Sequence, residues 1–251
     1  MIIDKPGKIT DRITFLGKPE SCIYLLEEGG EYTIIGGGLT YIIPDVIKQL
    51  SKLRVDENKI SRLIILHSHF DHVGIVPFFK KRCPGITVCA SKKTKQRFGE
   101  PRTIDTIIGF NTMLLRELAL QEPEDLLPDD QGFVVDEVLG DGDVIRCGDL
   151  HLEVMEVPGH STCSIAVYCP QEKALFGSDA GGIFFQDTVF TAANSNFDHY
   201  QQSLEKMAKL DVEVYLAEHY GALTGKDGKT YLARSIESAR QTRKLIEDTY
   251  L

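Results

Sequence analysis

The sequence predicts an α/β protein with helices layered on β-sheet, on three observations. Strand-like and helix-like stretches alternate along the chain, the pattern that packs helix against sheet. Leu63-Ile64-Ile65-Leu66 is an unbroken apolar run of strand length, which reads as a strand buried on both faces. The layout also falls into two similar halves, each a set of strands followed by helices. No stretch is long or polar enough to serve as a linker, so one domain spanning residues 1–251 is expected.

In order, Arg12 to Leu16, Ile23 to Leu26 and Tyr32 to Ile35 read as three short strands of a meander. Gly36-Gly37-Gly38 lacks the Lys-Ser/Thr and the G-x-G-x-x-G spacing of phosphate-binding loops, and reads as a tight turn that brings backbone close to a site. Pro44 to Leu53 is predicted helical, with Pro in the first turn and Val46, Ile47 and Leu50 on one face. Gly74 to Lys81 reads as a short helix, Thr87 to Ala90 as a strand, and Ser91 as the cap of a helix reaching about Phe98.

Thr103 to Gln121 is a longer helical segment. Ile104, Ile107, Ile108, Leu114, Leu115 and Leu118 lie near one face, with Asn111 interrupting it. It reads either as a core helix or as a wall over a site, where an apolar cover would suit an acyl group. Glu122 to Gln131, acidic and Pro-containing, is a predicted loop. Phe133 to Val138, Asp143 to Arg146, His151 to Val157, Ser164 to Cys169 and Lys173 to Phe176 are strand-like. Asp198 to Leu210 is a helix, Val212 to Ala217 a strand, and Asp227 to Thr249 a long helix with alternating charges.

Composition narrows the classes of function. A hydrophobic content of 42% with 26% charged residues suits a soluble protein with a full core. Lys and Arg number 28 against 37 Asp and Glu, a net charge of −9. That balance argues against a nucleic-acid partner while leaving room for a local basic pocket. No apolar stretch follows Met1 and no run has membrane-spanning length, so neither a signal peptide nor a membrane partner is expected. Cys22, Cys83, Cys89, Cys147, Cys163 and Cys169 include no C-x-x-C pair, and read as reduced thiols of a cytoplasmic enzyme. Oligomeric state is left open.

The densest chemical signal follows the apolar strand. His67-Ser68-His69-Phe70-Asp71-His72 crowds three imidazoles and a carboxylate onto a loop leaving a sheet edge. A loop can fold several such groups onto one point, and nitrogen and carboxylate donors suit zinc, iron or manganese. Three later residues share the same strand-end setting among small neighbours: His160 in Val157-Pro158-Gly159-His160-Ser161, Asp179 in Phe176-Gly177-Ser178-Asp179-Ala180, and His219 in Ala217-Glu218-His219-Tyr220-Gly221.

H-x-H-x-D-H, P-G-H-S, G-S-D and E-H-Y-G, in that order along the whole chain, resemble the metallo-β-lactamase-fold hydrolases. The resemblance implies a four-layer αββα sandwich with two divalent metal ions at the edge where two sheets meet. It implies that His67, His69 and His160 hold one metal, that Asp71, His72 and His219 hold the other, and that Asp179 bridges them. Two neighbouring cations lower the pKa of a shared water and polarise the attacked oxygen; Asp71 and Asp179 would be the catalytic carboxylates, Asp71 orienting the hydroxide.

Asp179 stands where the best-known β-lactamases place a cysteine, and His69 where flavodiiron reductases place a glutamate, so neither branch fits. Pro6-Gly7-Lys8-Ile9, Phe15-Leu16-Gly17, Gly37-Gly38-Leu39, Val73-Gly74-Ile75-Val76-Pro77-Phe78 and Ala90-Ser91-Lys92-Lys93-Thr94 look similar to the 2-aminobenzoylacetyl-CoA thioesterases of quinolone signalling. That likeness keeps iron beside zinc as the metal. The leading expectation is a hydrolase of a small-molecule acyl thioester, because a thiolate leaves without a strong acid. A phosphodiesterase of the same fold and a metal-containing regulatory protein are the alternatives; a redox di-iron role ranks below both. His199 and Tyr220 are candidate substrate or outer contacts, His151 a surface residue, and Cys163 a buried thiol beside the pocket.

Overall fold

The computed structural model describes residues 1–118, 126 and 130–250. The chain opens with β1 (Ile2–Ile3), β2 (Gly7–Lys8), β3 (Ile13–Lys18), β4 (Ser21–Glu28) and β5 (Glu31–Ile35), followed by α1 (Ile43–Leu53) and β6 (Ile60–Ile65). Then come α2 (Val76–Arg82), β7 (Thr87–Ser91), α3 (Lys92–Phe98), α4 (Pro101–Glu117) and β8 (Glu137–Leu139). Strands β2 to β8 form one seven-stranded sheet in sequence order, antiparallel up to β5 and parallel from β5 onward.

The second half supplies β9 (Val144–Cys147), β10 (Leu150–Glu156), β11 (Ile165–Cys169), β12 (Ala174–Phe176), the hairpin β13 (Ile183–Phe185) and β14 (Thr188–Phe190), α5 (Phe197–Met207), β15 (Val214–Leu216), β16 (Ala222–Thr224) and α6 (Gly225–Tyr250). The second seven-stranded sheet runs β1-β16-β15-β12-β11-β10-β9, with β12 and β15 parallel.

Strand periodicity sorts the side chains into layers. Ile13, Phe15, Tyr24, Ile64 and Leu66 of the first sheet meet Leu152, Val154, Val167, Phe176 and Leu216 of the second. Their alternates Leu16, Ile23, Leu25, Leu63 and Ile65 face the opposite way, against Val46 and Leu50 of α1 and Phe79 of α2. On the far side Ala166, Leu175 and Tyr215 pack on Leu204 and Met207 of α5 and on Tyr231 of α6. The order is helix, sheet, sheet, helix. Residues 63–66 are apolar throughout because one face of β6 meets helices and the other meets the second sheet.

Local signals act as expected at several boundaries. Pro44 lies in the first turn of α1 and Pro101 in that of α4. The Ser91 hydroxyl caps α3 by accepting from the Thr94 N–H at 3.1 Å. The predicted 133–138 strand is shorter than expected: Phe133 and Val135 turn into the core, and pairing begins only at Glu137. There the Asp136 carboxylate accepts the Val88 N–H at 2.8 Å, in place of a ladder bond. The hairpin β13–β14 escaped notice because its strands have three residues each and its turn places Gln186, not glycine, at positive φ. Strand β16 is equally short, and β1 and β2 have only two residues each. The end of the predicted 103–121 helix and most of the 122–131 loop lie outside the described residues.

Asn111 is a tie, not an interruption. Its side chain accepts the Thr40 N–H at 2.8 Å and donates to the carbonyls of Phe70 at 2.8 Å and Ile107 at 3.0 Å. It is 1% exposed, so truncation strands two backbone groups away from water. Asn111→Ala is expected to lower stability by about 2–4 kcal/mol, read from urea denaturation; a loss below about 1 kcal/mol would contradict this role.

Candidate metal centre

The site forms where strands of both sheets end at one edge. The His67–His72 loop leaves β6, His160 lies in the connection from β10 to β11, Asp179 follows β12 and His219 follows β15. Backbone bonds sew this edge together: Ile165 N–H donates to Leu66 C=O at 2.8 Å, and Cys22 N–H to Glu218 C=O at 2.8 Å. Buried tyrosines hold the loops from below. The Tyr24 hydroxyl donates to the carbonyls of Ala217 and of Gly221, the latter at 2.9 Å; Tyr215 donates to Ser178 C=O at 2.9 Å, and Tyr231 to Gly182 C=O at 2.8 Å.

The backbone here is crowded and turns sharply. A Cβ on Gly37 would stand 2.3 Å from the His72 carbonyl, so the glycine turn is what admits the metal-type loop. Ser178 and Tyr220, each beside a candidate ligand, adopt positive φ of 47° and 63°, a conformation that surrounding structure must enforce.

All seven ligand candidates converge. His67, His69 and His160 bring one donor atom each within 4.8 Å of one another, and so do Asp71, His72 and His219. His160 Nε2 is 2.9 Å from His69 Nδ1, and His219 Nε2 is 3.2 Å from His72 Nε2. Asp179 lies between the groups: its Oδ2 is 3.4 Å from His160 Nε2, 3.3 Å from His72 Nε2 and 3.7 Å from His219 Nε2.

The outer ring atoms are held by protein. His160 Nδ1 donates to Ala192 C=O at 2.8 Å and His219 Nδ1 to Glu20 C=O at 2.9 Å, which leaves each Nε2 turned inward. His67 Nδ1 is 3.3 Å from the Ser178 hydroxyl, while its buried Nε2 has no hydrogen-bond partner. An orphaned buried nitrogen aimed at two other imidazoles is what a cation would satisfy.

Glu218 is the residue sequence reasoning missed. It is 1% exposed, its Oε2 lies 3.1 Å from His72 Nδ1, and it accepts from the Ser178 hydroxyl and from Gly37 N–H at 3.3 Å. By distance it groups with His67 and His72. It faces the outer nitrogen of His72 at ion-pair distance but outside hydrogen-bond geometry, so its contact with that ring is electrostatic. The signal was present in Glu218-His219, an acid beside a ligand at a buried strand end.

Charge divides the site in two. Burial, with neighbouring imidazoles, pushes His67 down and His69 to about 4; burial also pulls His160 down. Burial would lower His72 and His219 as well, but Asp71, Glu218 and Asp179 outweigh it at His72. The carboxylates of Asp179 and Asp71, as acceptors facing its ring nitrogen, carry His219 up to about 10. Against a burial penalty of their own, His72 and His219 hold Asp71 and Asp179 well below the usual carboxylate range. Neighbouring carboxylates thus favour the protonated form at His72 and His219, while burial disfavours it at His67, His69 and His160. The donor set fits divalent cations.

A cavity of about 870 Å³ opens over the cluster, lined by His69, Asp71, His160, Asp179 and His219 at its floor. Its walls include Ser68, Phe70, Ser161, Cys163, Ile183 and Asn194, and the side facing α3 and α4 presents Arg97, Glu100, Arg102, Thr103, Thr106 and Ile107. Helix α4 is therefore both core helix and wall, but the wall is mostly polar, not the apolar cover expected. Cys163 lines the cavity as a buried thiol. His199 is exposed on the first turn of α5 and lies outside the cavity lining; Tyr220 also lies outside it, its ring 4.8 Å from that of Phe185.

The sequence model of the metallo-beta-lactamase superfamily matches residues 20–219. The chain belongs to that superfamily. Solved members share its fold: a HARLDQ-motif mutant of a metallo-beta-lactamase from Cronobacter sakazakii aligns over 98% of this chain and 99% of its own, with a TM-score of 0.72 at 17% identity. BJP-1, a subclass B3 metallo-beta-lactamase of Bradyrhizobium japonicum, aligns over 98% and 95% with a TM-score of 0.70 at 16% identity. A hydroxyacylglutathione hydrolase from Rhodopseudomonas palustris is 23% identical over 181 residues, 71% of this chain and 56% of the relative. Acyl-coenzyme A thioesterase MBLAC2 from Homo sapiens is 50% identical over 73 residues, 29% of this chain and 25% of the relative. The chain thus spans about half the length of the first relative and a quarter of the second. Among the described residues, no helix of this superfamily member is long and apolar enough to cross a membrane.

Glu218→Gln is expected to weaken metal binding about 10–100-fold, the usual worth of an outer contact to a metal-binding imidazole, measured by competition with a chromophoric chelator. An unchanged affinity would remove Glu218 from the site.

Proposed function

We propose that the chain is a dinuclear metal-dependent hydrolase of acyl thioesters. In this reading His67, His69 and His160 would hold one divalent ion and Asp71, His72 and His219 the other, with Asp179 available to both. The observation that carries it is the position of Asp179 Oδ2, within 3.7 Å of an imidazole nitrogen from each group. Zinc, iron and manganese all suit these nitrogen and oxygen donors. When bound, such a pair activates a water and polarises the substrate carbonyl.

The protein's own groups do the rest. Asp71, on the cavity floor, would be the acceptor that orients an attacking water toward the acyl carbon. Ser178, Ala192 and Glu20 fix imidazole rings that surround the reacting centre, and Glu218 acts on His72 electrostatically. No side chain need protonate the departing sulfur, since a thiolate is a stable leaving group. Both curated relatives described above are named for thioester hydrolysis, and the early resemblance to quinolone-signalling thioesterases points the same way. In this reading the partner is a small acyl substrate, not nucleic acid or membrane. The six free thiols support a reducing, cytoplasmic setting.

Metal-replete protein should hydrolyse acyl-CoA or acyl-glutathione, and chelation should abolish turnover. Asp179→Asn should reduce kcat/KM by more than about a hundredfold, beyond what an outer contact is worth. Cleavage of phosphodiesters with no thioester turnover would overturn the thioester assignment, and protein that never takes up metal would overturn the whole reading.

A further inference from the structure

The cavity lining carries charges of both signs. Its floor carries Asp71 and Asp179, and its α3–α4 side carries Arg97 and Arg102. Lys93 stands one helical turn before Arg97 on the same face of α3. It lines a small groove that shares Thr162 and Cys163 with the main cavity. Lys93, Arg97 and Arg102 are all exposed. Two acids stand among them: Glu100, 3.0 Å from Arg97, and Glu156, in the groove with Lys93.

The Arg97–Glu100 pair is half exposed on both sides, so its net worth is small and an incoming anion can share the guanidinium. Arg102 makes no ion pair among the described residues, and its neighbours Thr103 and Thr106 add hydroxyls to the wall. Residues 92–102 hold Lys92, Lys93, Lys95, Arg97 and Arg102 against Glu100, in a chain whose net charge is −9. A positive segment at the mouth of a cavity in an acidic protein draws in anions and repels little else.

We propose that Lys93, Arg97 and Arg102 form an anion-binding rim that selects a phosphate-bearing thiol carrier, coenzyme A, over glutathione. The proposal rests on the thioesterase reading above and deepens it. In coenzyme A a flexible arm separates the thioester from the phosphates, so the two can be held by different parts of one lining that includes Asp71 and Asp179 as well as the exposed Arg97 and Arg102. Guanidinium groups pair with phosphate oxygens in forked geometry. Glutathione carries two carboxylates and an ammonium, a small net charge that would gain far less from this rim.

The test compares one acyl group on coenzyme A, pantetheine and glutathione, using the full-length metal-replete protein and the variant Lys93→Gln/Arg97→Gln/Arg102→Gln. The wild type should favour acyl-CoA over acyl-pantetheine in kcat/KM by about tenfold or more, the worth of a charge-assisted contact. That preference should shrink with added salt and collapse in the variant through KM. Calorimetry with 3′,5′-ADP, which needs no hydrolysis, should show binding to the wild type that weakens about tenfold in the variant. All three substitutions are on exposed side chains, and an unchanged melting temperature would verify the fold. Equal turnover of the three thioesters, or a preference that survives in the variant, would overturn the rim while leaving the thioesterase reading intact. Absence of all thioester turnover would sink that reading, and the nucleotide titration would still decide whether the rim binds phosphate.

Discussion

The structure depends on how two buried carboxylates and a third, partly exposed one can be held together at the seam between two sheets. Asp71, Asp179 and Glu218 crowd around His72, which is wholly inaccessible to solvent. Removing such groups from water costs several kcal/mol apiece unless charge and hydrogen bonds compensate. Neighbouring imidazoles offset part of that cost, and divalent cations would offset more, since each brings two charges to donors facing inward. The remaining architecture can be understood as the scaffold that holds these unfavourable groups in place.

That scaffold works because strands deliver loops to a common edge while helices stiffen the outer faces. Apolar side chains from both sheets interdigitate between them, with Tyr24 and Phe176 in edge contact at 5.7 Å. Burial raises the pKa of Tyr24, Tyr215 and Tyr231, so their hydroxyls stay protonated and donate to loop carbonyls. Each tyrosine thus packs its ring in the core and spends its one polar atom on a site loop. Glycines complete the geometry: a Cβ on Gly181 would fall 1.8 Å from the Tyr215 hydroxyl, so the loop carrying Asp179 can approach its support only without a side chain there.

How far the sequence announced this varies by residue. The His67–His72 cluster is legible because its chemistry is concentrated in six consecutive positions. His160, Asp179 and His219 are legible as strand-end residues once that cluster calls for partners. The four-layer order follows from the family resemblance, while the unbroken apolar run at residues 63–66 says only that both faces of that strand are covered. Ser178 and Asn111 are not legible in the same way, because nothing in their local spacing distinguishes a buried polar tie from an ordinary turn or helix residue. Asn111 looked like a defect in an apolar stripe; only the nearness of Thr40 and Phe70 in space makes it a strut. The polar wall of α4 was hidden for a related reason. Periodicity identifies the face that meets the core, with Ile104 and Leu115 buried, and is silent about what the adjoining face overlooks.

The net charge of −9 conceals an arrangement that an average cannot express. Part of the cavity lining is acidic and imidazole groups, buried or partly buried, that pair at close range; another part is the guanidinium groups of Arg97 and Arg102, which stand in solvent. These environments treat charge differently. Buried donors are poorly screened and hold their ions through fixed geometry, whereas exposed cations act through a field that salt weakens within about 10 Å. A substrate with an electrophilic centre at one end and an anionic group at the other would therefore be oriented before it reached the floor, its anion kept away from Asp71 and Asp179 by repulsion and held at the rim by attraction. The same separation spares the reacting centre from competition, since a phosphate drawn to the rim is not left to occupy the imidazole cluster.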